Sequence, residues 1–473
     1  MEATDGFSDI ATDKTPEMEE PEREENGQYL LGYRDGVANV GLSVEEVHCK
    51  ETDLMSAVIE RNNMKKALRR VEKNQGCPGI DGMTVEELGS WLKEHWVMIR
   101  SKLLDGSYRP SAVKHVTIPK PDGGERMLGI PTVLDRLIQQ AINQVLVPVF
   151  DPHFSETSYG FRVGRSAIDA VLHARKIQHE GKRWVVDLDL EKFFDYVNHD
   201  ILMQQIQERV NDTILLNLIR KYLRAGLLKD GIESQRLKGT PQGGPLSPLL
   251  SNIMLDAFDK ELEQRGHSFA RYADDCNIYV QSKAAAERVL VSVSRWLEVQ
   301  LKLKVNQTKS AATRPWLRKF LGYSVTNHKK AKLRIAPQSV KRFKGKVKEL
   351  MRRGRGRNLK RFIAENLNPV LRGWINYYKV CETKGVLDEL DSWIRHRLRS
   401  ILWRQWKRTW TRRRKLMQLG LNEQTASMSA SNQRGAWWNS GASHMNLALR
   451  KKYFDKLGLV GLQAERRFLE QIA

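Results

Sequence analysis

Two stretches of this chain put carboxylates where apolar runs break off. In Ala270-Arg271-Tyr272-Ala273-Asp274-Asp275-Cys276-Asn277-Ile278-Tyr279-Val280 the apolar pattern stops at two adjacent aspartates and then resumes. Aspartate tolerates a left-handed backbone, so the spacing predicts a β-hairpin with Asp274-Asp275 as its tight turn. Two acids at one tip repel each other unless a cation joins them. Mg²⁺ suits that place, because it takes one or two carboxylates and leaves its other positions to water and phosphate oxygens. A plain surface hairpin fits the tetrapeptide alone, so its neighbours must decide.

The second stretch is Val185-Val186-Asp187-Leu188-Asp189-Leu190. In a strand, Asp187 and Asp189 project to one face while Val186, Leu188 and Leu190 pack beneath. Nucleotidyl transfer needs two metal ions roughly 3.5 to 4 Å apart, bridged by carboxylates from separate strands. One ion lowers the pKa of an attacking hydroxyl and the other holds a polyphosphate. Asp189 beside Asp274 and Asp275 would meet that requirement.

These acids need a scaffold, and the pattern supplies one. Residues 43–104 read as helical, broken by the glycine-rich loop Gln75 to Gly82. Val113 to Pro119 and Arg126 to Ile130 read as a hairpin turning at Pro121-Asp122-Gly123-Gly124, with Lys120 and Arg126 on its two arms. A helix is predicted from Val133 to Val147, with apolar residues at Leu134, Leu137, Ile138, Ala141, Ile142 and Val145. Asp200 is a candidate cap for a helix over Ile201 to Val210. Ser247-Pro248 reads as cap and first turn of a helix over Leu249 to Leu262. Another helix is expected from Lys283 to Gln300, then short strands over 316–335, then helices throughout. No internal repeat is evident.

The length of 473 residues implies two to four subdomains. The formal charge of +23 points to a polyanionic partner. Residues 1–28 carry ten acids against two bases, so the rest of the chain is near +31. That acidic start lacks apolar periodicity and is expected to be disordered. It also lacks the basic head and apolar core of a secretory leader. No apolar run is long enough for a membrane span. Cys49, Cys77, Cys276 and Cys381 match neither a disulfide framework nor a zinc pair. The expectation is a reduced protein of the cytoplasm.

Further motifs follow in order: Gly79-Ile80-Asp81-Gly82-Met83-Thr84, Ile118-Pro119-Lys120-Pro121-Asp122-Gly123, and Tyr159-Gly160-Phe161-Arg162. Beyond the Asp189 strand come Gly239-Thr240-Pro241-Gln242-Gly243-Gly244-Pro245-Leu246-Ser247-Pro248, Tyr272-Ala273-Asp274-Asp275, Val305-Asn306-Gln307-Thr308-Lys309 and Phe320-Leu321-Gly322-Tyr323. Over residues 55–465 this series resembles the group II intron reverse transcriptase/maturase family. The resemblance implies an RNA-directed DNA polymerase of α+β class with a right-hand fold. Its fingers would span 43–180 with an N-terminal extension, its palm 181–335, its helical thumb or maturase domain 336–420 and a nucleic-acid-binding extension 421–473. Residues 1–42 would be the tail, and the reverse transcriptase domain would cover about 55–330.

By the same resemblance Asp189, Asp274 and Asp275 are the catalytic metal ligands, for two Mg²⁺ ions with Mn²⁺ as substitute, and Asp187 supports them. Phe194, five residues after Asp189, closes under the incoming sugar and excludes ribonucleotides. Lys120 and Arg126 hold the triphosphate, Gln242 touches the sugar edge, and Lys309 protonates pyrophosphate. The implied partners are intron RNA, an RNA template with a DNA primer, dNTPs and a DNA target. Many relatives end in a zinc-containing HNH endonuclease; no cysteine follows Cys381, so the expectation is the endonuclease-lacking type. Two alternatives stay open: a splicing factor with an idle polymerase, or a same-fold enzyme recruited to repair or phage defence.

From Lys341 to Lys415 there are 24 bases and 6 acids. Val340, Phe343, Val347, Leu350 and Met351 form one helical face, with Lys341, Lys344, Lys346 and Lys348 turned away. Asn368-Pro369 is expected to start a helix, and a long one from Val386 to carry Trp393, Trp403, Trp406 and Trp410 as core. Leu371 to Tyr378 resembles the family's maturase domain. Arg434 to Asn446 resembles the extension of some members, expected to contact DNA or RNA.

Overall fold

The computed structural model describes residues 53–119, 125–229, 232–234, 238–240, 243–353 and 356–472. The acidic tail, Lys120, the Pro121–Gly124 turn and Gln242 lie outside them. The described residues form two units, one of 53–173 and 182–313, the other of 174–181 and 314–472.

The first unit opens with helices Leu54–Ile59, Arg61–Asn74 and Val85–Leu104, as the periodicity predicts. Glu87 accepts the N–H of Thr84 at 2.8 Å and so closes the start of the third. A helix over Val133–Phe150 buries Leu137, Ile138, Ala141, Ile142 and Leu146. Its Asp135 is almost fully buried. There it accepts hydrogen bonds from the hydroxyls of Tyr108 (2.9 Å), Tyr222 (3.1 Å) and Thr132 (2.8 Å) and from the Ser111 N–H (3.1 Å). Donors from the 108–111 segment, from Thr132 at the start of its own helix and from Tyr222 make this carboxylate a tie between distant stretches of the chain; burial nevertheless pushes it above the usual carboxylate range.

The strands are β1 (Val113–Pro119), β2 (Glu125–Ile130), β3 (Trp184–Leu188), β4 (Leu227–Lys229), β5 (Ile232–Ser234), β6 (Ser268–Tyr272), β7 (Asp275–Val280) and β8 (Ala311–Thr313). One sheet has the order β2-β1-β4-β5, with β1 and β4 parallel. The other has the order β6-β7-β3-β8 and is antiparallel throughout. Helices Ser247–Gln264 and Lys283–Gln300 back this second sheet. Val186, Leu188, Phe269 and Ile278 share one core with Met254, Phe258, Val293 and Leu297.

Two helix starts differ from expectation. Asn198, not Asp200, caps helix His199–Gln207, because its Oδ1 reaches the N–H groups of both Asp200 and Ile201. Ser247 is already helical, with Leu246 at the cap and Pro248 second.

The second unit pairs β9 (Tyr323–Val325) with β10 (Leu333–Ile335) and is otherwise helical. Helix Pro337–Arg353 buries Phe343, Val347 and Met351 and exposes Lys341, Lys346 and Lys348, as its pattern predicts. Asn368 does not open a new helix. Helix Leu359–Phe362 runs through a π-turn at Ile363–Leu367 straight into Asn368–Tyr377. Asn368 is instead a buried clamp, donating to Gly458 O (2.8 Å) and accepting from Val460 N–H (3.1 Å). The long helix Gly385–Gln405 ends before Trp406, and Trp410 belongs to a separate helix, Thr409–Gln418. Trp403 and Trp406 are core, whereas Trp410 is 55% exposed.

Candidate active site

The second sheet carries acids on both of its central strands, Asp187 on β3 and Asp275 on β7. In the β3–β7 ladder Leu188 faces Cys276 and Asp187 faces Asn277. The ladder ends at the first of these pairs: Asp189 directly follows Leu188 and Asp275 directly precedes Cys276, so the two acids flank its last pair. Asp187 and Asp189 are half-exposed while Val186, Leu188 and Leu190 are buried, the alternation read from the sequence. With its amide oriented to donate, Asn277 reaches Asp187 Oδ1 at 3.0 Å, so Asp187 is engaged within the sheet.

The hairpin turn is shifted by one residue from its expected place. Asp275 already belongs to β7 and pairs with Tyr272, leaving Ala273 and Asp274 as the turn. The left-handed residue is Ala273, with φ +56°, not an aspartate. Tertiary contacts explain an alanine there. Gly160 packs so closely that a Cβ on it would collide with the Ala273 backbone nitrogen. From below, Arg271 donates to the Ala273 carbonyl at 3.0 Å.

Arg271 is the residue that sequence reasoning missed. It has 0% exposure, and its guanidinium donates to Asp259 through Nε (2.6 Å) and Nη2 (2.5 Å). It also donates to Ser158 Oγ (2.8 Å) and Asn252 Oδ1 (3.2 Å). Asn252 in turn donates to Gly160 O at 2.8 Å. Burial pushes the Asp259 carboxyl up, against the pull of Arg271. The whole network grips the turn that carries Asp274.

On the other side, Asp189 is fixed through its backbone. Its N–H donates to Ser310 Oγ (3.0 Å) and its carbonyl accepts from the Asn306 N–H (2.8 Å). Asn306 Oδ1 also accepts from the N–H groups of Thr308 (3.1 Å) and Lys309 (3.2 Å). The exposed Lys309 therefore sits in the loop that hydrogen-bonds the Asp189 backbone, though 120 residues separate them.

Phe194 lies in the one-turn helix Phe193–Tyr196, half-exposed and edge-on to the buried Phe193 at 5.2 Å. Its carbonyl accepts the N–H of Thr240 at 2.7 Å, which anchors the loop leading to Gln242. Beyond that residue Gly243, at φ +128°, lies so near β2 that a Cβ would stand 2.7 Å from the Gly129 carbonyl. Arg126 pairs with Ile118 in the β1–β2 ladder.

Hard oxygen donors at the solvent end of a sheet suit Mg²⁺ better than a soft metal. Among the described residues no three His, Cys, Asp or Glu side chains already converge as a metal cage. A site that leaves most ligand positions to water and phosphate needs no such cage.

An antiparallel sheet with acids at the end of its central strands and two helices behind it matches the palm of a right-hand polymerase. Residues 118–325 match the family described as "Reverse transcriptase (RNA-dependent DNA polymerase)", and residues 340–420 match "Group II intron, maturase-specific domain". The chain is 32% identical over 297 residues to Protein YkfC of Escherichia coli, covering 54% of this chain and 78% of that protein. It is 36% identical over 206 residues to Group II intron-encoded protein LtrA of Lactococcus lactis subsp. cremoris, covering 43% of this chain and 34% of LtrA. A chain of a solved Cas6-RT-Cas1--Cas2 complex aligns over 52% of this one at 27% identity with a TM-score of 0.34. The chain belongs to the group II intron reverse transcriptase/maturase family: an RNA-directed DNA polymerase domain of a class that uses divalent metal ions, joined to a maturase domain. No helix among the described residues is long and apolar enough to cross a membrane.

Proposed function

We propose that this chain copies RNA into DNA at the acid-bearing end of the β6-β7-β3-β8 sheet, and that it binds its parent intron RNA to assist splicing and insertion into a DNA target. The observation that supports the catalytic part is the β3–β7 register, whose last pair, Leu188 with Cys276, is flanked by Asp189 and Asp275, with Asp274 in the adjoining turn. Asp189, Asp274 and Asp275 would hold two Mg²⁺ ions, which when bound lower the pKa of the primer 3′-hydroxyl and stabilise the departing pyrophosphate. Lys309 is the proton donor to that leaving group, a role supported by its exposed ammonium in the loop that hydrogen-bonds the Asp189 backbone. Lys120 and Arg126 receive the triphosphate of the incoming dNTP, as two cations on one hairpin suit a polyphosphate. Gln242 contacts the sugar edge, and Phe194 closes beneath the sugar.

Primer extension on an RNA template with Mg²⁺ tests the proposal. RNA binding without incorporation would make the chain a splicing factor alone. Phe194→Ala is expected to admit ribonucleotides, read as a rise in rNTP relative to dNTP incorporation. Unchanged sugar discrimination would return Phe194 to a packing role.

The basic helices of the second unit are the proposed grip on intron RNA. Affinity should then fall with salt by about 0.7 log units per log unit for each single-strand phosphate neutralised. A flat titration would contradict that grip.

A further inference from the structure

We propose that Trp437 and Trp438 form a stacking platform for unpaired bases of a single-stranded nucleic acid. The proposal rests on the reading of the second unit as a nucleic-acid-binding body and names the chemistry it would recognise there.

The stretch Arg434 to Asn446 divides its residues sharply by role. Asn439 has 0% exposure, and its amide donates to Asn432 Oδ1 (3.0 Å), Arg434 O (2.8 Å) and Gly435 O (3.2 Å). Asn432 returns a hydrogen bond to Asn439 Oδ1 at 2.7 Å. Ser440 Oγ donates to the Trp437 carbonyl at 2.6 Å. The polar side chains are thus turned inward and lock the helix Ala436–Gly441 to the turn before it. The two indoles are left outside, each 47% exposed; among the described tryptophans only Trp410 is more so. Tryptophan is a highly buried residue on average, so two adjacent rings left about half-exposed on a locked turn call for a partner.

Cations define the partner. The Arg434 guanidinium lies 4.0 Å from the centroid of the Trp438 ring. The His396 ring stacks on Trp437 at 4.0 Å and 11°, and Arg397 lies 5.2 Å from the same indole. No acid occurs between Glu423 and Asp455, whereas Arg434, Arg450, Lys451 and Lys452 do. Aromatic faces interleaved with guanidinium groups match a polyanion that also offers flat rings. A duplex hides the faces of its bases, so the partner must present unpaired ones. The locked turn also spares the entropy of ordering these rings when they bind.

Fluorescence anisotropy of the full chain with labelled strands of about twelve nucleotides tests this, a length within the reach of ordinary single-strand sites. The probes are single-stranded RNA, the matching single-stranded DNA and a blunt RNA duplex. The double variant W437A/W438A should lose about tenfold or more in single-strand affinity. Its duplex affinity and its salt slope should not change, because no cation is removed. W437F/W438F, which keeps aromatic faces, should retain most of the affinity and guards against a loss caused by unfolding. A loss confined to the RNA or to the DNA strand supports the platform and names its source. Equal losses on duplex and single strands, or no loss on either strand, would overturn it. Wild-type protein that binds none of the probes would overturn the broader reading as well, which separates the two failures.

Discussion

Asp274→Asn is expected to abolish nucleotide incorporation while leaving RNA affinity close to that of the unaltered chain. The exchange keeps size and hydrogen-bonding capacity at the turn, so the hairpin should persist. What it removes is one of three negative charges proposed to bind the metal pair. Charge stabilisation by such ions is worth several kcal/mol in a transition state. At 1.36 kcal/mol per decade, the loss is on the order of a thousandfold or more. The measurement is single-nucleotide extension of a DNA primer on an RNA template, with a parallel RNA-binding titration. Residual synthesis within tenfold of wild type would refute the assignment of Asp274 as a metal ligand.

The second large effect is expected one layer below the acids. Asp259→Ala leaves the Arg271 guanidinium fully buried without its carboxylate. Removing one partner of such a pair costs about 3 to 5 kcal/mol, a large part of a domain's stability. Urea unfolding should show it as a lowered midpoint. Replacing both members, as Asp259→Leu with Arg271→Met, should recover much of that stability, since apolar pairs of similar volume are tolerated where ion pairs were buried. Extension activity should not recover with it. The Ala273 carbonyl would still lack the donor that holds the turn. A stable double variant with full activity would show that the turn needs no such grip.

These two outcomes also mark where the sequence is legible. The acids could be read for two different reasons: from Val186 to Leu190 buried and half-exposed residues alternate, which fixes the face of Asp187 and Asp189, whereas Asp274 and Asp275 interrupt an otherwise buried run. The hairpin, its backing helices and the basic face of helix Pro337–Arg353 followed from the same periodicities. The position of the turn did not. Local propensity favours aspartate in a left-handed conformation, yet Ala273 adopts it because Gly160 and Arg271 fix its backbone from outside the hairpin. Arg271 itself was invisible, since an arginine next to a tyrosine and two acids reads as solvated. Its partners Ser158, Asn252 and Asp259 come from two distant segments. Trp410 was misjudged for the reverse reason: aromatic residues at helical spacing resemble core until the helix is seen to break. Nothing in a one-dimensional pattern announces the end of the helix at Gln405.

The grip on the Ala273 carbonyl has a practical corollary for anyone recombining members of this family. The strand pair 268–280 is not a portable cassette. A chimaera that imports it alone brings Arg271 without the matching carboxylate, amide and hydroxyl, and the tip would relax toward whatever its new host allows. Crossovers should keep 158–160, 252–259 and 271–275 from a single parent. Progeny that divide those three blocks should be overrepresented among the inactive clones.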